Sequence, residues 1–176
     1  MTGIISYGAY IPYWRLQRST LASALGSNGA KGARAVASFD EDTTSMGVEA
    51  SRIALRGVSE KYSPQSLWFA TAEPGYLDKT NANAIHAALS LDSSVNAFDC
   101  LGSVRSGIAA VHAAASGNSI AVLSDIRTGL PGGSDESMGG DGAAALCFGT
   151  ENVIAEFIST GTATSEFVDR WRTPGD

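Results

Sequence analysis

"NAFDCLGSVRSGIAAVHAAASG" spans residues 96 to 117, and its reading decides the fold. The run 94–99 is β-prone and ends at Asp99. Cys100 follows directly, and the composition of 101–116 predicts a helix. That helix offers Gly107, Ala109, Ala110, Ala113, Ala114 and Ala115, so small residues point to nearly every side. A helix apolar all round is normally buried all round. In a single layered sheet one of its sides would face water. The stretch therefore predicts a second layer, supplied by another domain or another chain.

Cys100 has two readings at this junction. A thiol at the first turn of a helix gains from the dipole and from free backbone N–H groups, and both favour thiolate. Its own N–H is placed to help hold an oxyanion, and Gly102 permits close approach of a substrate. Asp99 opposes ionisation if it points inward, or instead caps the helix that follows Cys100. Against this, cysteine is among the most buried residue types and is often inert.

Working outward, "GIISYGAYIP" (3–12) reads as a strand stopped by Pro12, and "RSTLASALG" (18–26) as a short helix with a Ser/Thr cap and a terminal glycine. Residues 27–40 are glycine-rich and read as a loop. "DEDTTSMGVEASRIALRG" (40–57) reads as a helix, with acids at its start and Arg56 at its end, both complementing the dipole. A buried strand over 66–72 and a helix over 81–91 follow. After the central stretch come an apolar strand over 119–126 and a glycine-rich loop over 127–142. Two strands, 143–149 and 152–160, read as a hairpin across Thr150 and Glu151. Strands apolar on both faces alternate with helices, so the fold class is α/β. A mixed, mainly parallel sheet is expected, with helices on both faces and antiparallel strands at its end.

Composition narrows the function. The 176 residues are 44% hydrophobic and 17% charged, as in globular domains, with net charge −6. No basic stripe exists, which argues against nucleic acid as a partner. The opening residues lack the basic region of a signal peptide, and the small-apolar run 107–116 is too short to span a bilayer. A cytoplasmic protein with no membrane partner is expected. Cys100 and Cys147 make no disulfide framework, and neither has metal-ligand spacing, so no metal is expected. Asp40, Glu41 and Asp42 are better explained by helix capping than by a cation. Cys147 and Trp68 read as core, and His86 and His112 as ordinary helix residues.

Four segments together resemble the thiolase superfamily, in its 3-hydroxy-3-methylglutaryl-CoA synthase and ketoacyl synthase III-like branch. "FDCLGSVRSGIAAVHAA" resembles the acyl-enzyme cysteine motif. "TAEPGYLDKTNAN" (71–83) resembles the segment that carries the catalytic glutamate of the synthase branch. "DEDTTSMGVEASRIAL" resembles an early helix, and "GGDGAAALCFG" (139–149) the segment before a closing hairpin. The resemblance covers nearly the whole chain and matches an N-terminal half, so residues 1–176 are expected to be one thiolase-like domain, half of an αβαβα sandwich.

The resemblance implies that Cys100 takes an acyl group from acyl-CoA as a thioester. Carbon–carbon bond formation would follow, with Glu73 as general acid/base. Acyl-CoA is then a substrate, and no permanently bound cofactor is implied. Apart from the family, Glu73 reads as a solvated residue before the turn Pro74-Gly75. Lys31 and Arg34 either meet CoA phosphates or are simply solvated. The loop 127–140 reads as a flexible connection, or as the wall of a substrate channel. The family's histidine and asparagine lie in a C-terminal half. A complementary half is therefore the expected partner, within a homodimer or heteromeric assembly. A retro-aldolase or C-acetyltransferase working with an OB-fold partner protein, and a non-catalytic scaffold half, are the alternatives. The unpartnered face of the 101–116 helix makes the isolated chain prone to association.

Overall fold

A computed structural model describes residues 2–26 and 31–166. The first strand, β1 (Gly3–Tyr10), leads through β2 (Trp14–Gln17), α1 (Arg18–Leu25) and β3 (Ala33–Val36) to α2 (Thr43–Arg56). Then follow β4 (Ser66–Thr71), α3 (Asn81–Ala88), β5 (Asn96–Leu101), α4 (Ser106–Ala114) and β6 (Ser119–Asp125). A short α5 (Ser134–Met138), β7 (Gly142–Gly149) and β8 (Ala155–Glu156) complete the described elements.

Six strands form one mixed sheet in the order β5-β4-β6-β7-β1-β8. β5, β4 and β6 are parallel neighbours, while β7 runs antiparallel to both β6 and β1. The parallel strands are joined by α3 and α4, as parallel pairing requires.

Period-two alternation divides the strands between two cores. On one face Leu67, Phe69, Ile120, Val122, Ala145 and Cys147 pack with Met46, Ala50 and Ala54 of α2 and with Ala82 and Ile85 of α3. On the other, Trp68, Ala121, Leu123 and Phe148 pack with Val111 and Ala114 of α4. Helices thus cover both faces, and Cys147 and Trp68 sit in the core or against it. α2 lies so close to β1 that a Cβ on Gly8 would stand 2.2 Å from the Ala50 carbonyl oxygen. Asp42 caps α2: its carboxylate accepts the Ser45 N–H at 2.6 Å, and the Ser45 hydroxyl accepts the Asp42 N–H. Such reciprocal caps stabilise a helix by about 1 kcal/mol.

α4 turns Gly107, Ala110 and Ala114 onto the sheet. Its other side is open, with Ile108 59% exposed and Val104, in the turn before it, 65% exposed. This is the face for which the sequence demands a second layer. No described helix is long and apolar enough to cross a membrane.

Five expectations are corrected. The closing hairpin does not form: both sides of β7 are taken by β6 and β1, so β8 crosses to the free side of β1, pairing Gly3 with Glu156. β5 extends through Leu101, which pairs with Thr71, so α4 starts at Ser106 and not at 101. Residues 33–36, read as loop, form β3 against β2. The loop 127–142 contains α5. α1 begins at Arg18 with no side-chain cap. Residues 27–30 of the first glycine-rich loop, and Trp171 with the rest of 167–176, lie outside the described residues.

Candidate active site

Ligands in open α/β sheets gather where parallel strands end. Cys100 sits at that end of β5, opposite Ala70 of β4, and Glu73 lies two residues beyond the last residue of β4. The structure therefore brings the two residues to adjacent strand ends on one sheet edge.

Two aspartates organise this edge. Asp99 faces α3: its carboxylate accepts the N–H groups of Asn81 (2.8 Å) and Ala82 (2.7 Å) and the Asn81 amide (3.1 Å). It caps a helix, but the expectation is corrected: the helix is α3 and not α4, which follows Cys100 and has no side-chain cap. Alternation then turns Cys100 to the α4 side, where its neighbour Phe98 stacks on Trp68 at 4.5 Å. Asp125, ending β6, accepts the Ala72 N–H at 2.7 Å and the Thr71 hydroxyl at 3.1 Å. The Thr43 hydroxyl donates to the Glu73 carbonyl at 2.9 Å, and the Thr71 hydroxyl accepts the Glu73 N–H at 3.0 Å. Buried Asn81 holds the following turn through Tyr76 N–H and the Tyr76 and Lys79 carbonyls. The Glu73 backbone is thus fixed from three elements while its side chain is exposed. Removing the Asp99 carboxylate strands two helix-start N–H groups. Asp99→Ala is expected to cost about 2 kcal/mol in chemical denaturation, with no loss if the cap is unimportant.

The environment of Cys100 corrects the expected helix-start thiolate. Because α4 begins at Ser106, its dipole is not centred on the sulfur. Partial burial pushes the thiol above its ordinary value, and the Asp99 charge adds to this. Gly102, at φ 102°, makes the turn out of β5 that a side chain would strain. Buried Cys147 is pushed up to about 12 by desolvation. Iodoacetamide is therefore expected to alkylate Cys100 and spare Cys147 in the folded chain. The rate should still climb with pH beyond ~8.5, the free-thiol value, since a raised pKa leaves the protonated form dominant at neutrality. A rate already flat at pH 7 would contradict this.

The other expectations separate. Arg34 is corrected: its guanidinium is buried and turned onto Asp141 at 3.1 Å, so it is not offered to a CoA phosphate. Lys31 is exposed. Glu41 accepts the Ser38 N–H and the Tyr10 hydroxyl, an acid used for structure. His86 contacts the Asp92 carbonyl at 3.0 Å, and His112 is exposed on α4. The principal cavities lie elsewhere, one of about 180 Å³ beside Tyr62 and Asn118 and one of about 300 Å³ beside Tyr10 and Met46. The sequence reading passes over Asp125, although a carboxylate at the end of the otherwise apolar β6 is the signal that marks it.

No family model matches the chain. Over 99% of its length it is 29% identical to hydroxymethylglutaryl-CoA synthase of Thermoplasma volcanium, covering 54% of that protein. It is 30% identical to the synthase of Methanocaldococcus jannaschii over 99% of its length, covering 55% of that protein. The priming β-ketosynthase of the R1128 polyketide pathway superposes with a TM-score of 0.76 at 23% identity, over 87% of this chain and 51% of that one. PksG, a hydroxymethylglutaryl-CoA synthase from Bacillus subtilis, gives 0.74 at 23% identity, over 86% and 40%. The chain has a thiolase-like fold and is homologous to hydroxymethylglutaryl-CoA synthases. It spans about half the length of the curated relatives it matches.

Proposed function

We propose that this thiolase-like domain is the N-terminal half of a condensing acyltransferase, with Cys100 as the acyl carrier and Glu73 as general acid/base. The observation that carries the reading is the convergence of both residues on one strand-end edge, each held by a neighbouring carboxylate-capped element. In the first step the Cys100 sulfur attacks the acyl-CoA carbonyl. A new C–S bond forms, the CoA thiolate leaves, and an acyl thioester remains on Cys100. Glu73 then takes a proton from the carbon beside the carbonyl of the Cys100-bound acyl group; that carbon attacks the carbonyl of the second substrate, forming the C–C bond, and the carbonyl electron pair becomes an alkoxide that takes the proton back from Glu73.

The complementary half has two tasks in this scheme. It covers the Glu73 carboxyl, which is exposed here. It also brings a basic partner to a thiol that this half alone keeps protonated. The exposed Val104 and Ile108 give it an apolar seat. β5 is an edge strand of the described sheet, which supports a homodimeric or heteromeric assembly.

The test is incubation of the chain and its complementary half with labelled acetyl-CoA. Mass spectrometry is expected to find an acetyl adduct on the peptide containing Cys100. A folded complex that carries none would overturn the catalytic reading in favour of a scaffold role.

A further inference from the structure

The turn that follows Glu73 contains a glycine that faces three oxygens from two helix starts. A Cβ built on Gly75 would have as its nearest neighbours Asp42 Oδ2 at 3.3 Å, Thr44 Oγ1 at 3.7 Å and Asn81 Oδ1 at 3.8 Å. Asp42 caps α2, Thr44 lies in the first turn of that helix, and Asn81 is the first residue of α3.

The hydrogen-bonding needs of these atoms are specific. Asp42 Oδ1 accepts the Ser45 N–H, and Oδ2 is the oxygen turned to Gly75. Asn81 is fully buried. Its Nδ2 donates to the Tyr76 and Lys79 carbonyls and to Asp99, which fixes Oδ1 as the acceptor. That oxygen accepts the Tyr76 N–H at 2.9 Å and keeps a second lone pair. Thr44 is 6% exposed, and its hydroxyl has no hydrogen-bond partner among the described residues. Burying a hydroxyl without a partner is costly. The space beside Gly75 is therefore faced by two acceptors and by one hydroxyl whose hydrogen needs an acceptor. A cation would suit the oxygens but leave that hydrogen unused. A water molecule suits all three groups: it accepts from Thr44 and donates its two hydrogens to Asp42 and Asn81.

We propose that Asp42, Thr44 and Asn81 form a binding site for one ordered water molecule, in the space that Gly75 leaves by lacking a side chain. The water joins the start of α2 to Asn81, the residue that holds the turn after Glu73. This assignment does not rest on the acyl-transfer reading.

Two experiments on the full 176-residue chain test it. A high-resolution crystal structure is expected to show one oxygen at about 2.6–3.2 Å from each of the three protein oxygens. Absence of density there, or an atom at about 2.1–2.6 Å as for a bound cation, overturns the proposal. The second experiment is a double-mutant cycle in urea. Thr44→Val keeps the shape of the side chain and removes the hydroxyl. It is expected to lower the folding equilibrium constant about three- to tenfold, the loss of one net hydrogen bond. A hydroxyl that binds no water would make valine neutral or stabilising, so an unchanged or raised constant overturns the site. Gly75→Ala sets a methyl group in the space, and Gly75 is not at positive φ, so alanine is allowed there. In that background, with the water displaced, Thr44→Val is expected to leave the constant unchanged or to raise it. The same loss in both backgrounds overturns a shared water. Should a variant fail to fold, the crystal structure of the wild-type chain still decides.

Discussion

Cys100→Ser is expected to abolish covalent labelling by acetyl-CoA and to lower condensation by the assembled protein by about 10³-fold or more. The basis is the loss of the group that forms the intermediate: a serine hydroxyl ionises far above neutrality and has no adjacent base among the described residues of this chain. Serine is close to isosteric, and Cys100 stands half-buried at a strand end where no hydrogen bond depends on its sulfur. Stability should therefore hold within about 0.5 kcal/mol. The pairing of an intact denaturation curve with a lost adduct distinguishes a nucleophile from a packing residue. A variant that condenses at the wild-type rate would remove Cys100 from the chemistry.

Glu73→Gln is expected to separate the two half-reactions. Acylation of Cys100 needs no proton from Glu73 and should proceed within about threefold of wild type. C–C bond formation should fall by about 10²- to 10³-fold, the range for loss of a positioned acid/base. Because the Glu73 backbone is fixed by Thr43, Thr71 and the Asp125-held turn, the amide side chain should occupy the same place. The decisive readout is single-turnover accumulation of the acetyl adduct when the second substrate is present. Loss of acylation itself would place Glu73 at the first step instead.

Local pattern in the sequence reaches most of the sheet. β4 and β6 are largely apolar runs, α2 carries Arg56 in its last turn as expected, and Asp42 is the cap its position implies. What pattern misses is set by pairing at a distance. Residues 152–160 look like the second arm of a hairpin, but whether β7 has a free side depends on β1, more than a hundred residues away. Leu101 looks like the start of a helix, but its ladder partner Thr71 keeps it in β5. That shift of the helix start removes the dipole argument for Cys100, and no local feature announces it. Arg34 shows the same limit on charge. In sequence it is a surface cation near Lys31, and only the fold brings Asp141 to it.

The placement of β1 between β7 and β8 has a consequence for biogenesis. Among the described residues, β1 finds its ladders with residues 143–149 and 155–156. A chain emerging from the ribosome must therefore keep Gly3–Tyr10 idle until almost the whole domain has been synthesised. Loop closure over such a span is slow, and the waiting strand is an apolar edge. Nascent chains stalled before residue 149 should be the species that chaperones hold most firmly.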